Sequence, residues 1–195
     1  CDLDLNTLRE NNINLLPLRI IYSNGDYRDR IDISPSEVYE NLEKEIPTTS
    51  LPSAKETEEI VNKLEEEGYT HVICISISSG LSGSYNALRL ALEDHPKLTS
   101  FVYDSKILAY PQGEIVLEVA KLIKEGKSYE EIIKEIPEIR KRVIGYFTIN
   151  TLEYLKRGGR IGRLAGTVGE LLNLKPIITT DEDGVYYNVA KVRGR

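Results

Sequence analysis

Four serines and two glycines fall within seven residues, "SSGLSGS" (78–84), between an apolar run and a helix-forming one. Serine hydroxyls donate hydrogen bonds without carrying charge, and Gly80 and Gly83 let the backbone approach a ligand closely. A helix that starts at such a loop presents free N–H groups and the positive end of its dipole. This combination suits a carboxylate or a phosphate held without a counter-charge. The same residues also suit a helix cap and a tight turn, and the stretch alone leaves both open. A second hydroxyl-rich loop, "PTTSLPS" (47–53), offers Thr48, Thr49 and Ser50 ahead of a stiffening proline. Alone, it is an ordinary Ser/Thr/Pro connector. Set across a crevice from the first loop, it would surround one head group with hydroxyls from two sides.

Nucleophilic chemistry fits poorly. The hydrolase elbow needs Gly-x-Ser-x-Gly, and here Ser84 stands in the second glycine position. No base is close. His71 begins the preceding apolar run, about 25 Å away along an extended strand. His95 lies at the far end of the following helix. "EGKS" (125–128) lacks the first glycine of a phosphate-binding loop and follows a helix, so it reads as a helix–helix turn. "LKRGGRIGR" (155–163) gathers Lys156, Arg157, Arg160 and Arg163 around glycines, and "KVRGR" (191–195) is a second basic cluster. Such patches suit a phosphate or an acidic partner face, or they are solvated surface.

These loops need strands and helices to hold them. "LPLRIIYS" (16–23) reads as a strand, followed by a polar, turn-rich excursion in "SNGDYRDRID". "THVICISIS" (70–78) is continuous and β-branched, as in a strand buried on both faces. "SFVYDS" (100–105) and "VIGYFTI" (143–149) read as further strands. Ser34/Glu37, Ser53/Glu56 and Ser128/Glu131 carry the capping-box spacing and predict three helix starts. Helices are also predicted over 114–126, closed by Gly126, over "TLEYLKRGG", and in "LAGTVGELLNL". "KPIITTDEDGVYYNVA" reads as a hairpin turning at Asp183-Gly184. Strands alternate with helices, so the class is α/β with a mainly parallel sheet, in which loops at the carboxyl ends of strands form the ligand crevice.

Composition narrows the function. The 195 residues, 41% hydrophobic and 29% charged, suit a globular chain of one to two domains. The net charge of −6 and the lack of aromatics among the basic clusters argue against nucleic acid as a partner. No run of about 18 apolar residues and no signal peptide are visible, so neither membrane insertion nor export is expected. Cys1 and Cys74 cannot make a disulfide framework, and two free thiols point to a reducing, cytoplasmic setting. Two histidines are too few for most metal sites. The absence of any methionine, and an end at "VAKVRGR", point to a piece of a longer chain.

Taken together, "PTTSLPSAKE", "ISSGLSGSYNAL", "YDSK", "TLEYLKRGGRIGRLAGTVGELLNLKPIIT" and "EDGVYYNVAKVRG" resemble the DegV family of bacterial fatty-acid-binding proteins. Some of its members are lipid-carrier subunits of a fatty acid kinase. The motifs keep family order and spacing over nearly the whole chain. The resemblance implies two α/β domains: a three-layer α/β/α domain with a parallel sheet over 1–142, and the start of a mixed-sheet domain over 143–195. It implies a long-chain fatty acid between them, with its carboxylate on hydroxyls of both loops. Thr49 and Ser82 match the family's carboxylate-binding residues, and Ser50 and Gly83 are taken with them. Arg160 and Arg193 match a surface implicated in meeting the kinase subunit, so they are expected to serve the partner and not the lipid. The implied protein is a lipid carrier with no catalytic residue, metal or cofactor beyond its bound fatty acid. The family's opening strand and its carboxylate-binding histidine have no counterpart here, and Leu51 stands where glutamine is frequent. The competing reading is a stand-alone enzyme acting on a small carboxylated or phosphorylated metabolite at the serine-rich loop.

Overall fold

The computed structural model describes residues 1–167 and 174–193, without the side chains of Thr167, Leu174 and Arg193. In chain order the elements are α1 (Leu5–Glu10), β1 (Arg19–Tyr22), β2 (Gly25–Arg28), α2 (Pro35–Asn41), β3 (Thr48–Ser50), α3 (Ala54–Glu66), β4 (His71–Ser76), α4 (Ser84–Glu93), β5 (Thr99–Asp104), α5 (Ala109–Lys124), α6 (Tyr129–Arg142), β6 (Phe147–Thr148), α7 (Glu153–Arg157), a 3-10 helix (Gly162–Thr167), β7 (Leu174–Thr180) and β8 (Tyr186–Arg193).

The apolar run at 70–78 becomes β4, which pairs in parallel with β5, Ile73 opposite Phe101 and Cys74 opposite Val102. Side chains alternate across a strand, so the pair serves two cores. Ile73, Ile75, Phe101 and Tyr103 pack on Ile115, Val119, Leu122, Ile132, Ile136 and Ile139 of α5 and α6. Val72, Cys74 and Val102 pack on Val61, Leu92 and Leu98, with Leu64, so that α3 and α4 cover the other face. This is the expected α/β/α layering. Cys74 lies inside it, and burial pushes its thiol up to about 11, which leaves it unreactive. Both cysteines are free.

Parallel pairing is confined to β4 and β5 among the described residues. The other two sheets, β2-β1-β3 and β6-β7-β8, are antiparallel. Loop length accounts for the hairpins β1–β2 and β7–β8, whose connections are too short for a crossover helix. Only Ser23 and Asn24 separate β1 from β2, so the polar stretch read as an excursion is a hairpin strand. Its charges are paired: Arg19 with Asp26 across the hairpin at 2.8 Å, and Arg28 with Asp32, four residues on, at 2.7 Å. The run at 143–149 yields strand only at Phe147–Thr148, with Ile144 and Tyr146 exposed. The helix expected in "LAGTVGELLNL" is a 3-10 helix over Gly162–Thr167, and its remainder at 168–173 lies outside the described residues.

The helix starts follow the sequence closely. Ser34 and Ser128 form complete capping boxes with Glu37 and Glu131. Ser53 caps α3 through the Glu56 N–H at 3.1 Å, but the Glu56 carboxylate turns to the Ser53 hydroxyl and to Arg19. "EGKS" joins α5 to α6, as expected. His95 is buried between Glu65 at 3.2 Å and Glu58 at 3.3 Å. Burial lowers its pKa, but these two carboxylates outweigh burial and raise it.

The β6-β7-β8 sheet closes on the α/β/α layers at several points, among them the Thr180 hydroxyl donating to the Lys106 carbonyl at 2.8 Å and Leu81 entering the core of that sheet. The turn between β7 and β8 seats Gly184, at φ +75°, against Ser78, whose hydroxyl donates to the Gly184 carbonyl at 2.7 Å. A Cβ on Gly184 would lie 1.9 Å from the Ser78 hydroxyl oxygen. Gly184→Ala is therefore expected to destabilise the fold by about 2–4 kcal/mol, from the left-handed backbone, the lost buried hydrogen bond and overpacking. A urea unfolding midpoint equal to that of the parent would refute this docking.

Candidate functional site

The serine loop leaves β4 and is fixed at each step. Ser78 N–H donates to the Ile107 carbonyl at 2.9 Å, and its buried hydroxyl grips Gly184. Ser79 N–H donates to Asp104 at 3.0 Å, while Lys106 Nζ reaches both the Ser79 hydroxyl and Asp104 at 3.0 Å. Burial opposes ionisation of Asp104, but these bonds hold its carboxyl below the usual value. Gly80 lies under the turn of the β7–β8 hairpin, where a Cβ would meet the Asp183 carbonyl at 2.7 Å. Leu81 drives its side chain into the second core, with Leu152, Leu164, Ile178 and Tyr186. Three serines of the quartet are thereby accounted for by scaffolding or turn contacts, Ser84 being buried at the helix start.

Ser82 differs. It is half-buried, and its hydroxyl meets only the Ser84 hydroxyl at 2.9 Å and the Ser84 N–H at 3.3 Å. Gly83 is the N-cap of α4 and supplies no side-chain cap. By contrast α1, α2, α3 and α6 are each capped by the side chain of Asp4, Ser34, Ser53 or Ser128. The N-cap position of α4 is thus a glycine, as α5 and α7 also start without a side-chain cap, and the Ser84 N–H is met by the Ser82 hydroxyl from one residue further back, so the choice between ligand loop and helix cap stays open at Ser82.

Thr49 sits in β3, which is an edge strand and not the loop read from the sequence. It pairs with Ile20, and Ile20 pairs with Tyr27, so these three share one face of the sheet. Ser50 pairs with Arg19 and takes the opposite face, where its hydroxyl donates to the Leu51 carbonyl at 3.1 Å. The structure thus does not aim Thr49 and Ser50 the same way. Thr49 and Ser50 are both exposed. The two loops meet through Leu51, whose methyls lie 3.5 and 3.6 Å from where a Gly83 Cβ would be. The contact is made by Leu51, and none of the described hydrogen bonds joins Thr49 to Ser82 or Gly83.

Arg160 is exposed, as a partner-facing residue should be, but its Nε donates to the Leu81 carbonyl at 3.2 Å. It therefore touches the backbone of the serine loop. The side chain of Arg193, the last residue of β8, lies outside the described residues. The Leu51–Gly83 contact and the Arg160–Leu81 bond were not legible in the sequence. Each joins segments far apart in the chain through a backbone atom or a missing side chain, which leaves no residue-type signal. Asp104 carried a weak signal, since it ends a strand next to Lys106 in "YDSK". No cluster of three or more His, Cys, Asp or Glu placed to hold a metal ion occurs among the described residues, and none of their helices is long and apolar enough to cross a membrane.

A family model described as "Uncharacterised protein, DegV family" matches residues 1–195. The chain belongs to the DegV family. A DegV domain-containing protein of Clostridium perfringens is 54% identical over 195 residues, covering 100% of this chain and 69% of that protein. The solved structure of DegV from Bacillus subtilis, described as a fatty acid binding protein, is 34% identical and covers 100% of this chain and 69% of its own, with a TM-score of 0.90. A fatty-acid-binding DegV protein from Thermus thermophilus is 32% identical, with a TM-score of 0.89 and coverage of 99% and 69%. The Streptococcus pneumoniae fatty acid kinase B3 protein, loaded with linoleic acid, is 27% identical, with a TM-score of 0.78 and coverage of 92% and 64%. The DegV fold expected from the motifs, α/β with parallel and antiparallel sheets, is thus the fold of this chain, which spans about two thirds of these relatives.

If Ser82 is held for a ligand and not for the helix, its removal should cost little stability. Ser82→Ala is expected to shift unfolding by less than about 0.5 kcal/mol, whereas Ser128→Ala, which breaks a capping box, should cost about 1 kcal/mol. Chemical denaturation of both variants checks this, and the reverse order would make Ser82 a cap.

Proposed function

We propose that this DegV protein binds a long-chain fatty acid and presents its carboxylate to a fatty acid kinase subunit for phosphorylation to the acyl-phosphate. The observation that carries the reading is the meeting of the two hydroxyl loops through Leu51 and Gly83, at a helix start without a side-chain cap. Thr49 and Ser82 donate to the carboxylate, and the uncapped amides of α4 add the favourable end of its dipole. Gly83 lets the head group approach the backbone, and Ser50 lines the rim of the same loop. The acid lies between a first unit, 1–142, and a second beginning at 143. The fatty-acid-binding descriptions of the Bacillus and Thermus relatives support the ligand class. The kinase description of the Streptococcus relative supports the partner.

The energetics favour a carrier. Burying an acyl chain of about fifteen methylenes contributes about 12 kcal/mol gross, at about 0.8 kcal/mol for each. Each hydroxyl contact to the charged head adds about 1.5–3 kcal/mol. The tail supplies the affinity, and the loops decide which end points outward. A neutral cradle leaves the carboxylate open to phosphoryl transfer, where a bidentate arginine would hold it firmly. The enzyme reading lacks support at Ser82. The lysine of the loop region, Lys106, contacts Ser79, and His95 is held by two glutamates at the other end of α4.

Full-length protein purified without added lipid is expected to carry a long-chain fatty acid, seen by native mass spectrometry and by lipid analysis after denaturing extraction. Ser82→Ala should bind added oleate fivefold to a hundredfold more weakly while remaining folded. Protein that carries no acyl chain and takes up none when it is added would refute the proposal.

A further inference from the structure

Arg160 stands apart from the other arginines of its basic cluster. Arg157 pairs with Glu153 at 2.6 Å, and Arg163 pairs with Asp181 at 2.9 Å and Asp183 at 2.6 Å. Arg160 has no carboxylate partner among the described residues. Two carbonyls hold its guanidinium, Leu81 through Nε at 3.2 Å and Gly158 through Nη1 at 2.5 Å. The turn that aims it is specific: Gly159 takes φ +72°, and Arg160 N–H closes on the Leu155 carbonyl at 2.9 Å. An exposed cation is thus fixed in direction while its charge stays available.

We propose that Arg160 is a positioning residue for Ser82, so that the basic surface and the head-group loop form one coupled unit; this rests on the fatty-acid reading above. The link is covalent geometry. The Leu81 carbonyl and the Ser82 N–H belong to one planar peptide. Arg160 holds its oxygen, and the Ser78 carbonyl accepts its N–H at 3.0 Å. The Leu81 side chain is anchored in the second core. These contacts fix the peptide plane, and with it the place from which the Ser82 side chain starts, while its bonds to Ser84 hold the hydroxyl itself. An acidic group on a docking partner competes with the Leu81 carbonyl for the guanidinium. Docking at the surface therefore frees the peptide and loosens the hold of Ser82 on the carboxylate as that carboxylate is needed for reaction. By linkage, a bound fatty acid that fixes the loop changes how the partner docks.

The test is a double-mutant cycle on lipid-stripped full-length protein, titrated with oleate and followed in parallel by amide hydrogen exchange over residues 81–86. Arg160→Ala should weaken oleate binding threefold to tenfold, speed exchange in this segment, and leave the melting temperature nearly unchanged. Added to Ser82→Ala, it should cost less than a further twofold, because its effect runs through Ser82. Arg160→Lys keeps the charge but cannot span two carbonyls, so it should bind oleate as weakly as the alanine variant. Unchanged affinity in Arg160→Ala, full additivity in the cycle, or complete rescue by lysine would each overturn the proposal. A parent protein that binds no oleate contradicts the fatty-acid reading instead. In that case the exchange of residues 81–86 still decides whether Arg160 positions the loop.

Discussion

The burial of Leu81 is the contact on which the arrangement at the head of α4 depends. Leu81 leaves the parallel sheet in a loop of serines and glycines, yet its side chain belongs to the core under the antiparallel sheet, with Ile178 and Tyr186. Burying a leucine is worth about 1.5–3 kcal/mol, enough to fix a loop that has little else apolar to offer. Once Leu81 is seated, Gly80 must pass beneath the Asp183 carbonyl, and Gly184 must pass against Ser78. Neither position admits a side chain. The glycines follow from the closeness of two backbones.

That anchoring divides the serines by role. Ser78 and Ser79 are spent on the scaffold, one bonded to Gly184 and the other to Asp104 and Lys106. Ser82 comes directly after the anchor and is left with a single weak local network. A hydroxyl so placed, at a helix start whose N-cap residue is a glycine, suits an anion that is to be held and then handed on. Arginine at the same spot would bind more tightly and release less readily. The guanidinium that does come near, that of Arg160, meets the backbone carbonyl of Leu81 instead. Charge is thus kept one peptide away from the Ser82 hydroxyl.

The sequence was most legible where local chemistry decides. The Ser34 and Ser128 capping boxes, the two-faced strand at 71–76 and the turn at Asp183-Gly184 all rest on residues near one another in the chain. The hydroxyl loops were visible because serine and glycine clusters are unusual after a buried strand. What the chain order hid was pairing. The β2 strand reads as a charged turn because its charged residues find partners, Asp26 with Arg19 and Arg28 with Asp32, that the chain order does not reveal. Thr49 and Ser50 read as equivalent neighbours, and only their placement in a strand sends them to opposite faces. Leu51 looked like a departure from the family pattern. In the structure it is the side chain that touches the start of α4.

The central claim is that hydroxyls from two separate elements converge on one carboxylate. It is tested most directly by nuclear magnetic resonance of full-length protein loaded with palmitate carrying carbon-13 at the carboxyl. The bound carboxyl resonance should move away from its parent position in both Thr49→Ala and Ser82→Ala, since each removes one hydrogen bond to the same group. A resonance that shifts in neither variant, in protein that still holds the lipid, would place the head group elsewhere and contradict the account.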